Sequence, residues 1–233
     1  IRYNTYPDAA EWCRMINFIE GQFSTGGNCN SASNHDKARS ATRLTRNIAP
    51  EYKTAALRQL MQLFMMLPGS FCLYQGEELG LDQMPIKDIP QHRLKDPRAF
   101  TQELAYSRDG ARTPMPWQQD APNAGFSTAD SDALYLPIPP MHIAQAVDAQ
   151  DNDPKSLLHL TRSLINWRKN QSALISSTTS AEVINEHILK IIRTGLQQEL
   201  TGYFNTTDQT VRLRIDGEPI EIAPYDVIIS GDM

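Results

Sequence analysis

Between Cys29 and Tyr74 the chain follows an alternation that few folds use. A short segment, Cys29–Ser33, runs into a polar tip, Asn34-His35-Asp36. A helix from about Glu51 to Leu67 then starts after Pro50, presents Ala56, Leu60, Leu63, Phe64 and Leu67 at helical spacing, and is stopped by Pro68-Gly69. Ser70–Tyr74 is a second short apolar strand. Strand, polar tip, helix, strand is the pattern of a parallel α/β protein.

Around this unit the pattern changes twice. Residues 8–23 read as a helix, opened by Asp8 and Glu11 as a capping box after Pro7 and carrying Trp12, Met15, Ile16, Ile19 and Phe23 at helical spacing; Gly26-Gly27 end the connection. From Gln75 to Asp153 almost no periodic segment occurs, although the stretch is rich in Pro, Asp and aromatic residues; a loop of that length in a compact domain is usually functional. A third helix is predicted from Pro154 to Lys169, with Asp153 as cap and Leu157, Leu160, Leu164 and Trp167 inward. After Ala173 short β-type segments follow, His187–Arg193, Leu200–Phe204, Val211–Ile215 and Asp226–Ile229, separated by Gly, Asn and Asp turns. The expected boundary lies near Gln171–Ser180, giving an α/β part over 1–172 and a small all-β module over 173–233.

Composition narrows the function classes. The 233 residues carry a formal charge of −5, so there is no basic footprint for nucleic acid. The longest apolar run, Leu63–Leu67, is far shorter than a membrane span needs. Cys13, Cys29 and Cys72 are odd in number and scattered, which argues against a disulfide framework and favours a reducing, cytoplasmic setting. No zinc spacing, phosphate-binding glycine loop or nucleophilic Ser or Cys motif is present, so neither a metal nor a cofactor is expected.

Four segments carry possible chemistry. Asn34-His35-Asp36, with Arg39 and Arg43, places a carboxylate able to stabilise positive charge beside a histidine able to bond a hydroxyl, at the end of a strand where catalytic groups sit; the bland alternative is a turn. Tyr74-Gln75-Gly76-Glu77-Glu78-Leu79-Gly80 offers two adjacent carboxylates. Neighbours on an extended chain point to opposite sides, so Glu77 and Glu78 are read as holding the loop rather than converging on a substrate. Arg108-Asp109-Gly110-Ala111-Arg112-Thr113-Pro114-Met115-Pro116-Trp117 places two arginine forks four residues apart, suited to a carboxylate or to a surface ion pair. Asn123-Ala124-Gly125-Phe126-Ser127 is a turn whose aromatic either stacks on a sugar or pins the loop.

Taken in order, the NHD–KAR, LYQGEELGL, SRDGARTPMPW and NAGFS segments resemble glycoside hydrolase family 13, the α-amylase family, in its α-glucosidase and oligo-1,6-glucosidase branch. The resemblance runs from about residue 28 to 170, and the β module is similar in size and position to the family's domain C. It implies the carboxyl-terminal portion of a (β/α)₈ barrel, with the NHD tip ending strand seven and the YQGEE segment following strand eight, and then a small antiparallel β-sandwich. By the same resemblance Asp36 matches the carboxylate that orients the sugar and stabilises the oxocarbenium-like transition state. His35 matches the histidine on that sugar, Arg112, with Arg108 as second choice, the arginine closing the terminal-glucose subsite, and Arg39 the same neighbourhood.

The implied reaction is retaining hydrolysis of terminal α-linked glucose from maltose-like or isomaltose-like oligosaccharides. A retaining glycosidase needs a nucleophile and a general acid about 5–5.5 Å apart. The family carries these after strands four and five, and neither of its upstream patterns occurs here. With Ile1-Arg2-Tyr3 at the start, the expectation is a missing amino-terminal half and an isolated chain without activity. Two local departures, Pro116 before Trp117 and Phe71 in place of the usual proline, leave linkage preference open. Trehalose synthase-like transfer or isomerisation of maltose is the alternative chemistry, and an inert or non-catalytic fragment the other. The expected partner is a small oligosaccharide or disaccharide, with no nucleic acid and no membrane.

Overall fold

The computed structural model describes residues 3–23, 27–104, 107–175 and 177–231. In chain order these form α1 (Ala9–Phe23), β1 (Cys29–Asn30), α2 (Ser40–Arg43), α3 (Pro50–Met66) and β2 (Ser70–Phe71). Three short helices follow, α4 (Arg98–Thr101), α5 (Pro140–Ile143) and α6 (Val147–Asp151), then α7 (Leu157–Lys169) and α8 (Ser172–Ile175). Six strands complete the chain: β3 (Ser177–Ile184), β4 (Ile188–Gly195), β5 (Glu199–Asn205), β6 (Val211–Ile215), β7 (Glu218–Ile222) and β8 (Val227–Gly231). Contacts gather them into two units, one of residues 31–43 and 73–160, the other of 3–30, 44–72 and 161 onward.

In the second unit, α1 begins as its sequence dictates. The Glu11 amide donates to Asp8 Oδ1 at 2.7 Å and the Asp8 amide to Glu11 Oε2 at 3.3 Å, a reciprocal box that satisfies amides the first turn leaves open. Trp12 and Ile16 are fully buried, while Met15 and Ile19 are half-buried. The expected contribution of the Phe23 side chain, and Gly26, lie outside the described residues. β1 and β2 pair in parallel, Cys29 opposite Ser70, so the alternation forms a parallel pair with α3 as the intervening helix. All five expected apolar positions of α3 are buried. Beyond Leu60 burial extends to Met61, Met65 and Met66, and Gln59 is buried as well, donating to the carbonyls of Asn205 and Asp226 at 2.8 Å each.

The β module is antiparallel throughout, with a four-stranded sheet in the order β3-β4-β5-β8 and a separate β6-β7 hairpin. Ile188, Val211 and Ile222 form its core, with Tyr203 and Ile228 packed against them. The hairpin turns on Asp216-Gly217, both at positive φ, the pairing of residues that a tight primed turn requires. Two strands exceed the sequence expectation. β3 reads Ser-Thr-Thr-Ser-Ala-Glu-Val-Ile, too polar to signal a strand, and forms because it pairs with β4 along its whole length. Asn17 of α1 also clamps it, bonding both the amide and the carbonyl of Ala181. β7 pairs with β6 despite Pro219, which a strand with only one partner tolerates.

The first unit holds the long aperiodic stretch, and among its described residues no helix between β2 and α7 exceeds five residues. Small apolar clusters and side-chain-to-backbone bonds order it instead. Met84, Ile89, Leu94 and Leu136 form one cluster, and Leu79, Leu81 and Leu158 another. α7 starts later than its sequence implies. Asp153 accepts from the Lys155 amide in a preceding turn, and Ser156 Oγ accepts from the His159 amide as the actual cap. Leu164 is buried as expected and Leu158 is buried in addition, while Leu157, Leu160 and Trp167 are half-buried.

Candidate active site

The tip that follows β1 is built by its own side chains. Asn34 Oδ1 accepts from the Asp36 amide at 2.9 Å, the local bond that makes Asn a turn former, and this turns the Asp36 carboxylate outward. That side chain is 47% exposed and His35 is 68% exposed, with His35 Nε2 3.5 Å from Asp36 Oδ2.

Both arginines of the long loop reach this carboxylate. Arg108 Nη1 donates to Asp36 Oδ1 at 2.8 Å and Arg112 Nη2 to the same oxygen at 3.1 Å. Arg112 Nε donates to the His35 carbonyl at 2.9 Å, tying the loop to the tip a second time. Desolvation would raise the Asp36 carboxyl, but the Arg108 hydrogen bond and the charges of His35, Arg108 and Arg112 outweigh it and hold the group below its ordinary value. Asp36 is thus an ionised carboxylate with one oxygen occupied and the other turned toward His35. Beside it lies a groove of about 340 Å³ lined by Lys37, Gln83, Met84, Ile86 and Arg98 together with Asp36 and Arg108.

Of the five residues singled out in the sequence, four meet here: His35, Asp36, Arg108 and Arg112. Arg39 sits elsewhere. It is 1% exposed, donates from Nη1 to the Gln75 carbonyl at 2.7 Å, and lies against the Tyr74 ring at 5.5 Å. Burial lowers its basicity. Its place is beneath the 74–80 turn. Gly76 there has φ +85°, and a Cβ would press on Leu81 and on the Arg39 guanidinium, so the turn closes only with glycine.

Glu77 is buried under the same turn. Its carboxylate accepts from the hydroxyls of Ser33 and Ser40 and from the Tyr74 amide, linking the tip to the turn. Burial raises its pKa against these bonds. The reading of Glu77 as a loop-holding residue agrees with this placement.

Asp96 escapes sequence reading. Its carboxylate, with the residue 0% exposed, takes the Arg108 fork through Nε at 2.8 Å and Nη2 at 2.9 Å. That contact holds its pKa well below the usual carboxylate range despite desolvation. The one signal in the chain was the Asp96-Pro97 dipeptide, which marks a turn and nothing more.

His142 is the second such residue, fully buried behind the arginine loop. Its Nε2 lies 2.7 Å from the Asp82 carbonyl, which can only accept, so Nε2 carries the proton and Nδ1 accepts from Thr113 Oγ1 at 3.4 Å. Desolvation, with the nearby Arg39 charge, pulls its pKa down to about 4. The unfolded chain therefore binds a proton near pH 6.5 that the native state refuses until about pH 4. Stability is expected to be intact above pH 6.5 and to fall by about 3 kcal/mol as pH drops toward 4. Denaturant unfolding at pH 7 and pH 5 should show the decline, and His142→Gln should flatten it. Equal slopes in both proteins would assign the acid sensitivity elsewhere.

Among the described residues there is no group of three or more His, Cys, Asp or Glu placed to hold a metal ion. No described helix is long and apolar enough to cross a membrane.

The family model for the α-amylase catalytic domain matches residues 3–177. The chain belongs to the α-amylase family, glycoside hydrolase family 13. Within it, the chain is 32% identical over 197 residues to a probable α-glucosidase of Rhizobium meliloti, covering 84% of this chain and 34% of that protein. It is 27% identical to the oligo-1,6-glucosidase of Parageobacillus thermoglucosidasius, covering 90% of this chain and 40% of the relative. The solved structure of the α-glucosyl transfer enzyme XgtA superposes with a TM-score of 0.84 at 30% identity, over 97% of this chain and 44% of that one. A trehalulose synthase variant at 20% identity shares the fold, with a TM-score of 0.80 over 97% of this chain and 47% of that one. The chain thus spans about a third to just under half the length of these proteins.

Proposed function

We propose that this chain is the part of an α-glucosidase that supplies the third carboxylate, Asp36, to retaining hydrolysis of terminal α-linked glucose from maltose-like or isomaltose-like oligosaccharides. The observation that carries the reading is the state of Asp36: exposed, ionised and aimed by two arginines. With Oδ1 taken by the arginines, Oδ2 is the acceptor for a sugar hydroxyl, and the adjacent His35 ring can bond the same sugar. As the glycosidic bond breaks, the anomeric carbon becomes oxocarbenium-like, and a fixed negative charge beside it lowers the barrier. In this reading Arg108 and Arg112 hold the carboxylate charged and oriented, and Arg39 supports the Tyr74–Gly80 turn from below.

Residues 1–172 are the end of a (β/α)₈ barrel, β1 and β2 its strands seven and eight, and 173–233 its domain C. The nucleophile and general acid lie in family motifs that residues 1–233 do not contain, so the isolated chain is expected to be inactive. The three free cysteines fit a reducing, cytoplasmic setting. The test is hydrolysis of maltose and isomaltose by the full-length protein, with the first-formed anomer followed by proton NMR. α-Glucose appearing first supports the reading, and β-glucose first would refute the retaining route.

The likeness to XgtA, named as a glucosyl transfer enzyme, favours a second reading in which a sugar or other alcohol competes with water for the glucosyl group. Chromatography of maltose digests separates the two: glucose alone marks hydrolysis, while trehalose or longer oligosaccharides mark transfer.

A further inference from the structure

Arg108 has a long, flexible side chain, yet three of its nitrogens are committed to one buried partner. Its backbone amide donates to Asp96 Oδ2 at 2.6 Å, its Nε to the same oxygen at 2.8 Å, and its Nη2 to Oδ1 at 2.9 Å. This side-on fork uses one edge of the guanidinium and leaves Nη1 on the other, and Nη1 is the atom that meets Asp36 at 2.8 Å. Asp96 is itself fixed at both ends. Its Oδ1 accepts from the Arg98 amide at 3.2 Å, and its own amide donates to Asp109 Oδ2 at 3.0 Å, alongside the Lys95 amide at 2.8 Å. Asp109 is as fully buried as Asp96. A rigid line therefore runs from Asp109 through the backbone at 95–96 to the Asp96 carboxylate, the Arg108 guanidinium and the exposed Asp36. Asp96 has no solvent-exposed surface, so its effect on a sugar must pass through Arg108.

The geometry points to Asp96 as a positioning residue that aims Arg108 at Asp36 and so fixes which carboxylate oxygen faces the substrate. It rests on the reading of Asp36 as the transition-state carboxylate. An asparagine at 96 would present an amide donor to the guanidinium, itself only a donor, and the fork would open. Arg108 would then be free to swing away, leaving Arg112 as the one guanidinium on Asp36, beside His35.

The test is a double-mutant cycle in the full-length enzyme, with p-nitrophenyl α-glucoside as substrate and Asp96→Asn, Arg108→Lys and the double variant as proteins. Arg108→Lys keeps the charge but cannot hold both carboxylates, and its side chain is partly exposed, so it guards against a folding failure of the Asp96 variant. Each single variant is expected to lose roughly a hundredfold in kcat/KM, mostly in kcat, and the double variant no more than either single one. Multiplicative losses, or a loss confined to KM, would overturn the coupling and leave Asp96 a structural ion-pair partner. Asp36→Asn assayed beside them separates the two ideas: if it hydrolyses normally, the functional reading itself falls, whereas an inactive Asp36→Asn with multiplicative losses at 96 and 108 defeats only the positioning role.

Discussion

Asp36→Asn in the full-length enzyme is expected to lower kcat by about a hundred- to a thousandfold while leaving the fold intact. The magnitude is that of removing one preorganised electrostatic contact from a charge-developing transition state. The fold should survive because the tip and the arginine loop keep their other ties. Its side chain is 47% exposed, and its amide is held by Asn34, which the substitution leaves alone. Arg108 retains its three bonds to Asp96, and Arg112 retains the His35 carbonyl. An amide at position 36 can still accept one arginine hydrogen bond but carries no charge to oppose the oxocarbenium. Steady-state kinetics on maltose, with a thermal melt as control, decide the matter. Near-normal turnover with an unchanged melt would remove Asp36 from the chemistry.

Gly110→Ala should do the opposite, damaging fold and activity together. Gly110 lies in the buried turn Asp109–Ala111, between the two arginines that clamp Asp36. Its carbonyl accepts from the Met84 amide at 3.1 Å, so the two backbones lie side by side. A Cβ at 110 would be driven into the Met84 carbonyl oxygen and the Gln83 side-chain amide. The backbone oxygen cannot rotate away, so the loop itself must move. Forced overpacking of this kind costs about 1–3 kcal/mol, and an error of an ångström in the arginine loop can cost about a hundredfold in rate. The expected result is a lower denaturation midpoint with a matching fall in kcat/KM. A variant as stable and active as the parent would show that the loop has slack that its packing does not display.

The local features were legible because their causes lie within a few residues of sequence. The Asp8–Glu11 box, the start of α3 at Pro50, one residue earlier than expected, and the Pro68-Gly69 stop are all short-range chemistry. The Asn34-His35-Asp36 tip and the Arg108–Arg112 loop stood out by composition, and the structure brings them together over more than 70 residues of separation. Long-range partners were not legible. Asp96 looks like any Asp-Pro turn until Arg108 folds onto it, and His142 looks unremarkable until Asp82 and Thr113 close around it.

The sequence by itself determined the parallel alternation, the presence of β structure in the last third of the chain, the family motifs and the identity of the exposed carboxylate. Tertiary structure decided which arginine serves which purpose. Arg39, Arg108 and Arg112 carry the same guanidinium, and nothing local distinguishes them. Arg39 is buried against Tyr74 and Gln75, Arg112 spans the tip and the loop, and Arg108 is held between a buried and an exposed carboxylate. A guanidinium takes its role from the acceptors the fold brings within about 3 Å of it, and that distance is set by packing among residues far apart in the chain.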